Sequence, residues 1–332
     1  MKNAKASSNK KKGSKVITVL LVAVIIAAAC VLGFSAYKLY NINKNYKQAE
    51  NYYDQIEAVV AGTEEAESIE AQTEEKAQLI EEADPDSAVD QAAEQETADE
   101  SVLKEIAWEN DPLADVSATQ TLQTAFKHPA WLKYASLNWN YKALLNLCED
   151  GIGYIYQENT MSYPIVQAED NDKYLRHLIN GEYSINGTIF VDFRFEDGLD
   201  SQYSIIYGHN MDDKSMFGSI TSYKDEAYYK EHPTFEIYSG EDMYLYYVFA
   251  AFQTPISSDV FAGEYTEEEF LKLMEDAQAE NTYEMNAPEI TKDSVVTVLT
   301  TCIDYPRDYS YRYVVFLVRG EKLLPAKYNP EK

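Results

Sequence analysis

The stretch VLTTCIDYPRDYSYRYVV, residues 298–315, ends one apolar run in a cysteine and opens the next with an arginine ten residues later. Two such runs joined by a short polar loop predict antiparallel strands, which would set Cys302 beside Arg312. A thiolate can attack a carbonyl carbon, and a guanidinium, always charged and fork-shaped, can hold the oxyanion that develops. Such a cysteine also needs a proton acceptor or an imidazolium nearby. The chain has four histidines: His128, His177, His209 and His232. His209 stands in SIIYGHNM, just beyond an apolar run and Gly208, so it is expected at a strand end. His128 and His232 precede prolines, and His177 lies in YLRHLIN. Cys302 has bland readings too: a packed small hydrophobe, or a bridge to Cys148. With Cys30 as the third cysteine, there is no CxxC pair and no Cys/His cluster of metal-ligand spacing. No cofactor or metal is expected.

These residues need a rigid frame. Runs rich in Val, Ile, Tyr and Phe predict strands near 153–157, 188–194, 202–208, 234–239, 242–253, 294–301 and 311–319. Residues 118–147 suggest two short amphipathic helices about Pro129. A short helix is expected near 222–230. A longer one is expected over 266–281, where Thr266 would cap with Glu269 reaching back. Many short strands with few helices point to a closed or nearly closed β-barrel.

The 332 residues carry a net charge of −28, which excludes the basic footprint of a nucleic-acid binder. Residues 1–15 form a basic tail with six lysines. Residues 16–38 open with VITVLLVAVIIAAACVLGFSA, about twenty residues that could span a bilayer core of ~30 Å. The lysines before it put the N-terminus inside and the rest outside. A cleaved signal peptide is the competing reading, although its apolar region would be shorter. Residues 39–112 are expected to form an acidic stalk, rich in Glu, Ala and Gln. Weak apolar spacing at Tyr53, Ile56 and Val60 allows a helix at its start, and Pro85 breaks any helix. The catalytic domain is expected over 113–328.

Taken in order, YGHNM, SMFGSI, TTC and the arginine of YRYVV resemble a class B sortase, as do YPIVQAEDNDKYL and GTIFVDFR upstream. The resemblance covers roughly residues 115–325. It implies a mainly β fold: an eight-stranded sortase barrel with N-terminal helices and a helical insertion before the cysteine strand. It implies a membrane-anchored, extracellular cysteine transpeptidase that cleaves a Pro-x-Thr-Gly-like sorting signal of a surface protein. The acyl group would pass to a peptidoglycan amine or, in a pilin-type polymerase, to a protein lysine. Cys302 would be the nucleophile, His209 the acid/base partner and Arg312 the oxyanion donor. Thr300 matches a family position that contacts the signal peptide, and Thr301 beside it joins it as a candidate contact. The chain departs from the family in having Gly153 and Tyr154 where a Trp-Ile pair is common, and in carrying a second arginine, Arg307, in the loop. A non-catalytic scaffold on the same barrel and a hydrolytic peptidase remain as alternatives.

Overall fold

The structure, a computed structural model, describes residues 3–62, 133–304 and 308–329. Eight strands close into one barrel: β1 (Gly151–Gln157), β2 (Met161–Val166), β3 (Ile189–Val191), β4 (Tyr203–Tyr207), β5 (Thr234–Ser239), β6 (Asp242–Pro255), β7 (Val296–Asp304) and β8 (Asp308–Lys322). Their order around the barrel is β1-β2-β3-β4-β7-β8-β6-β5. Two pairs are parallel, β2 with β3 and β4 with β7, and the others are antiparallel. Closure leaves the barrel without a free edge. Val296, Val298, Leu299, Val314 and Phe316 are fully buried on the two strands that carry the expected chemistry. This makes the β7–β8 pair a rigid mount.

Among the described residues four α-helices accompany the barrel: α1 (Asn3–Val60), α2 (Tyr141–Leu147), α3 (Glu226–Glu231) and α4 (Glu267–Ala279). The capping box expected at α4 is present, with Thr266 Oγ1 accepting from the Glu269 amide at 3.3 Å and the Glu269 carboxylate accepting from the Thr266 amide at 2.8 Å. Phe270, Met274 and Ala277 make one buried stripe on α4. Asn281, just beyond, ties the helix to β6 by accepting from the Ala251 amide and donating to the Phe249 carbonyl. Residues 133–140 are not helical, so the described part of the expected helical pair shortens to α2.

Strand β2 was not expected from composition. Pro164 interrupts it, and a proline ordinarily argues against a strand. The barrel accommodates it because β3 pairs with β2 only at Ile165 and Val166, beyond the proline.

The expected stalk needs correction over its described part. Residues 39–60 continue α1, and Ala49, Tyr53, Ile56 and Val60 are buried in the common core. Their spacing of four, three and four puts them on one helix face. The weak periodicity in the sequence is therefore a docking face on the barrel. The Val60 carbonyl also accepts from the Asn140 amide at 2.8 Å. This ties the end of α1 to the segment that leads into α2. Residues 63–112, with most of the acidic run and Pro85, lie outside the described residues.

The backbone of α1 runs through the expected span 16–38. Among the described residues, no helix is long and apolar enough to cross a membrane. Side chains 3–27 lie outside the description; beyond them Val31, Leu32, Phe34, Tyr37, Leu39 and Tyr40 are exposed.

Candidate active site

Strand β7 sits between β4 and β8, so its side chains meet neighbours from both. In the antiparallel β7–β8 register, Cys302 is directly opposite Arg312. In the parallel β4–β7 register, Tyr207 is opposite Thr300. The chain keeps that alignment past the end of β4. The Gly208 amide donates to the Thr300 carbonyl at 3.2 Å, and Thr301 Oγ1 donates to the Gly208 carbonyl at 2.7 Å. His209 follows directly, beyond the paired end of β4. Cys302 and Arg312 thus face each other across β7–β8, and His209 lies in the segment that leaves β4 alongside β7.

His209 is half-buried, and its Nε2 lies 2.8 Å from the Leu175 carbonyl oxygen. A carbonyl oxygen only accepts, so Nε2 carries the proton and Nδ1 is the basic nitrogen of the neutral ring. Burial lowers the imidazole below its ordinary 6.5. The Leu175 carbonyl opposes this, and the nearby Arg176 cation adds to it. The resting ring is neutral at pH 7 and able to take a proton.

The loop after His209 is compact. The Phe217 amide donates to the His209 carbonyl at 2.9 Å, and Asn210 and Met216 form an antiparallel bridge. Asn210 Nδ2 donates to the Cys302 carbonyl at 2.8 Å. Tyr163 Oη accepts from the Met216 amide at 3.0 Å. At Gly208 a β-carbon would lie 2.6 Å from the Phe217 ring, so only glycine fits there without moving the loop. Below it, the Tyr207 hydroxyl donates to Asp192, which is fully buried and paired with Arg194 at 2.7 Å. Burial alone would raise the Asp192 carboxyl, but the donors from Arg194 and Tyr207 outweigh it and hold the group below the usual range.

Arg312 is half-buried and donates from Nη1 to the Tyr311 carbonyl at 3.0 Å. Both threonines are buried, Thr300 to 1% exposure and Thr301 to 2%. The Thr301 hydroxyl donates to the Gly208 carbonyl and so helps hold the His209 loop.

The other candidates lie elsewhere. His177 pairs with the Lys173 carbonyl, and His232 caps α3. His128 and Arg307 lie outside the described residues. Cys148 and Cys302 are both free thiols, which removes the bridge between them; Cys148 is buried with its Sγ 3.4 Å from the Tyr174 hydroxyl. Among the described residues, no group of three or more His, Cys, Asp or Glu is placed to hold a metal ion. Sequence reasoning missed Asn210 and Leu175. Asn210 stood inside the quoted YGHNM motif. Leu175 acts through its backbone carbonyl, for which a sequence carries no side-chain signal.

No family model matches the chain. It is 34% identical over 168 residues to sortase B of Listeria monocytogenes, a match spanning 50% of this chain and 68% of that protein. The chain belongs to the sortase B family. Sortase B of Staphylococcus aureus is 25% identical over 177 residues, 53% of this chain and 72% of that one. The Clostridium perfringens sortase B crystal structure superposes with a TM-score of 0.50 at 26% identity, covering 55% of this chain and all of that one. An S. aureus sortase B–substrate complex and a sortase B complexed with triglycine, at 20% and 24% identity, share the fold at TM-score 0.50. The eight-stranded barrel expected of this sortase is the one observed.

Proposed function

We propose that this sortase is a cysteine transpeptidase acting on the C-terminal sorting signal of a surface protein, with Cys302, His209 and Arg312 as its catalytic residues. The observation that carries the reading is Cys302 directly opposite Arg312 on β7–β8, with Asn210, the residue after His209, donating to the Cys302 carbonyl. The Cys302 thiol passes its proton to His209 Nδ1, and Sγ attacks the carbonyl carbon of the signal's threonine. Arg312 donates hydrogen bonds to the resulting oxyanion. The imidazolium returns the proton to the leaving amine as the C–N bond breaks, leaving a thioester. An incoming amine then gives a proton to His209, attacks the thioester and releases the Cys302 thiol.

The triglycine complex of a relative supports an amine acceptor of glycine type, and the substrate complex of another supports a peptide donor. A peptidoglycan amine is the acceptor we assign, with a protein lysine as the variant to be tested beside it. The apolar run 16–38 and the lysines before it support an anchor in the cell membrane with the barrel outside.

The test is intact-mass spectrometry of the full chain in detergent, incubated with Pro-x-Thr-Gly-type peptides with and without triglycine. The expected result is an acyl adduct on the wild type, released by triglycine as a ligated product and absent from Cys302→Ala. Release by water alone at the same rate would make the protein a peptidase. An adduct that survives in Cys302→Ala would remove the assignment.

A further inference from the structure

Helix α1 is continuous from Asn3 to Val60, so it joins the expected span 16–38 to the face buried on the barrel without a break. Tyr37 and Tyr40, both exposed, stand where that span ends, and tyrosines gather at the boundary between lipid and water. The first side chains of α1 that pack on the barrel core come soon after: Tyr46 lies against it and Ala49 is buried in it. From residue 38 to residue 46 a helix rises about 12 Å. The headgroup layer takes up roughly 5–8 Å of that. With the span in the bilayer, the barrel begins just beyond the headgroups, and what touches α1 near Tyr46 decides which end of it begins there.

Both segments that hold His209 are found at that level. Asn43, Tyr46 and Lys47 line one cleft with Asp213, Lys214 and Ser215, from the loop after His209. Burial raises the Tyr46 hydroxyl, and the nearby carboxylates of Asp212 and Asp213 add to it. Along the other flank of the helix, Asn45 and Gln48 line a second cleft with Glu182, Tyr183 and Ser184. That segment follows Leu175, whose carbonyl accepts from His209 Nε2. The far end of the docked helix meets different parts of the fold. The Val60 carbonyl accepts from the Asn140 amide, and the neighbouring Trp139 donates from Nε1 to the Gly240 carbonyl in the β5–β6 turn. From Tyr46 to Val60 the helix rises about 21 Å. Charge does not oppose contact with an anionic surface at the near end. Lys44, Lys47 and Lys214 match Glu50, Asp212 and Asp213 in number, and Lys38 at the end of the span favours it.

We propose that α1 holds the barrel with its histidine-loop end, residues 210–216, facing the headgroup layer of the membrane and its β5–β6 turn facing away. This rests on the membrane anchor assigned above and goes beyond it by giving the catalytic end a side. The peptide donor and the amine acceptor then have to meet Cys302 next to the lipid surface.

The test uses the full chain in nanodiscs of phosphatidylglycerol with a lipid that carries chelated nickel at its headgroup. Nickel speeds the relaxation of a nitroxide spin label only at short range. One label is attached at a time, through Tyr40→Cys, Asp213→Cys or Glu241→Cys, with Cys30, Cys148 and Cys302 replaced by alanine. The three labelled positions are exposed, and circular dichroism establishes that each variant is folded; if Cys148→Ala unfolds the chain, Cys148→Val takes its place. Nickel is expected to speed relaxation several-fold at positions 40 and 213 and to leave position 241 nearly unchanged. Inserting seven helix-forming residues after Tyr40 adds two turns, about 10 Å, on the same helix face, and should remove the effect at position 213 while keeping it at position 40. No effect at position 40 would overturn the anchor and the proposal with it. An effect at 40 with none at 213, equal effects at 213 and 241, or an effect at 213 that survives the insertion would leave the anchor standing and overturn the orientation.

Discussion

The Cys302–Arg312 pair was legible because the chemistry resides in side chains, and the register follows from two apolar runs and the loop between them. His209 was legible for a similar reason, as a titratable residue just past a strand. The environment of its ring was not, because the Leu175 carbonyl and the burial come from a distant segment. That environment has a measurable consequence. With its pKa lowered on folding, His209 binds fewer protons in the folded state than in the unfolded chain between that lowered value and about 6.5. Stability should therefore fall as pH drops below about 6.5, and this component should level off below the folded pKa. Urea midpoints across pH 4–8 should show the decline, and His209→Gln should remove its share. A variant with an unchanged pH profile would mean that the ring is no more buried than in the unfolded chain.

At the scale of elements, the site depends on how the 208–218 loop is fastened. Gly208 and Thr301 extend the β4–β7 ladder, Asn210 holds the Cys302 carbonyl, and Tyr163 holds the Met216 amide. Asn210→Ala removes the side chain that links the histidine loop to the backbone of the cysteine strand. A hydrogen bond of this kind contributes about 1 kcal/mol. We expect kcat to fall several-fold to about tenfold, with KM for the signal peptide little changed and Cys302 still open to alkylation. Partial recovery in Asn210→Gln would support positioning; a loss of alkylation equal to the loss of kcat would show that the loop had instead collapsed onto the thiol. The strand and helix pattern was largely readable from β-branched and aromatic runs and from the Thr266 cap. Strand β2 was not, because Pro164 masks a strand wherever the position of its outer neighbour is unknown.

At the scale of the molecule, the largest departure from the sequence reading concerns where the folded unit begins. The Glu/Ala-rich composition after residue 45 looks like a spacer, and its few apolar residues look accidental. In the structure Tyr53, Ile56 and Val60 are core residues, 4%, 3% and 0% exposed. Each is worth roughly 1.5–3 kcal/mol of burial, and together they rival the about 5–15 kcal/mol that holds a domain folded. A chain beginning at residue 113 should therefore melt far below one beginning at residue 40, or fail to fold. Circular dichroism melts of the two would decide; equal midpoints would show that the α1 contact contributes nothing.

The hydrogen bond between Asn140 and Val60 gives this arrangement one more property. Residues 63–132 lie in the chain between α1 and the barrel, whose non-covalent tie runs through Val60, Asn140 and the buried face of α1. Covalently, however, they are the only bond between them. One cut in that segment would turn a single polypeptide into a two-chain complex, with α1 as a non-covalent subunit. An inserted protease site there should yield, after cleavage, two bands on a denaturing gel and one species on a sizing column. Mild denaturant would then release the helix, and the barrel deprived of it would unfold at a lower midpoint than in the uncut chain.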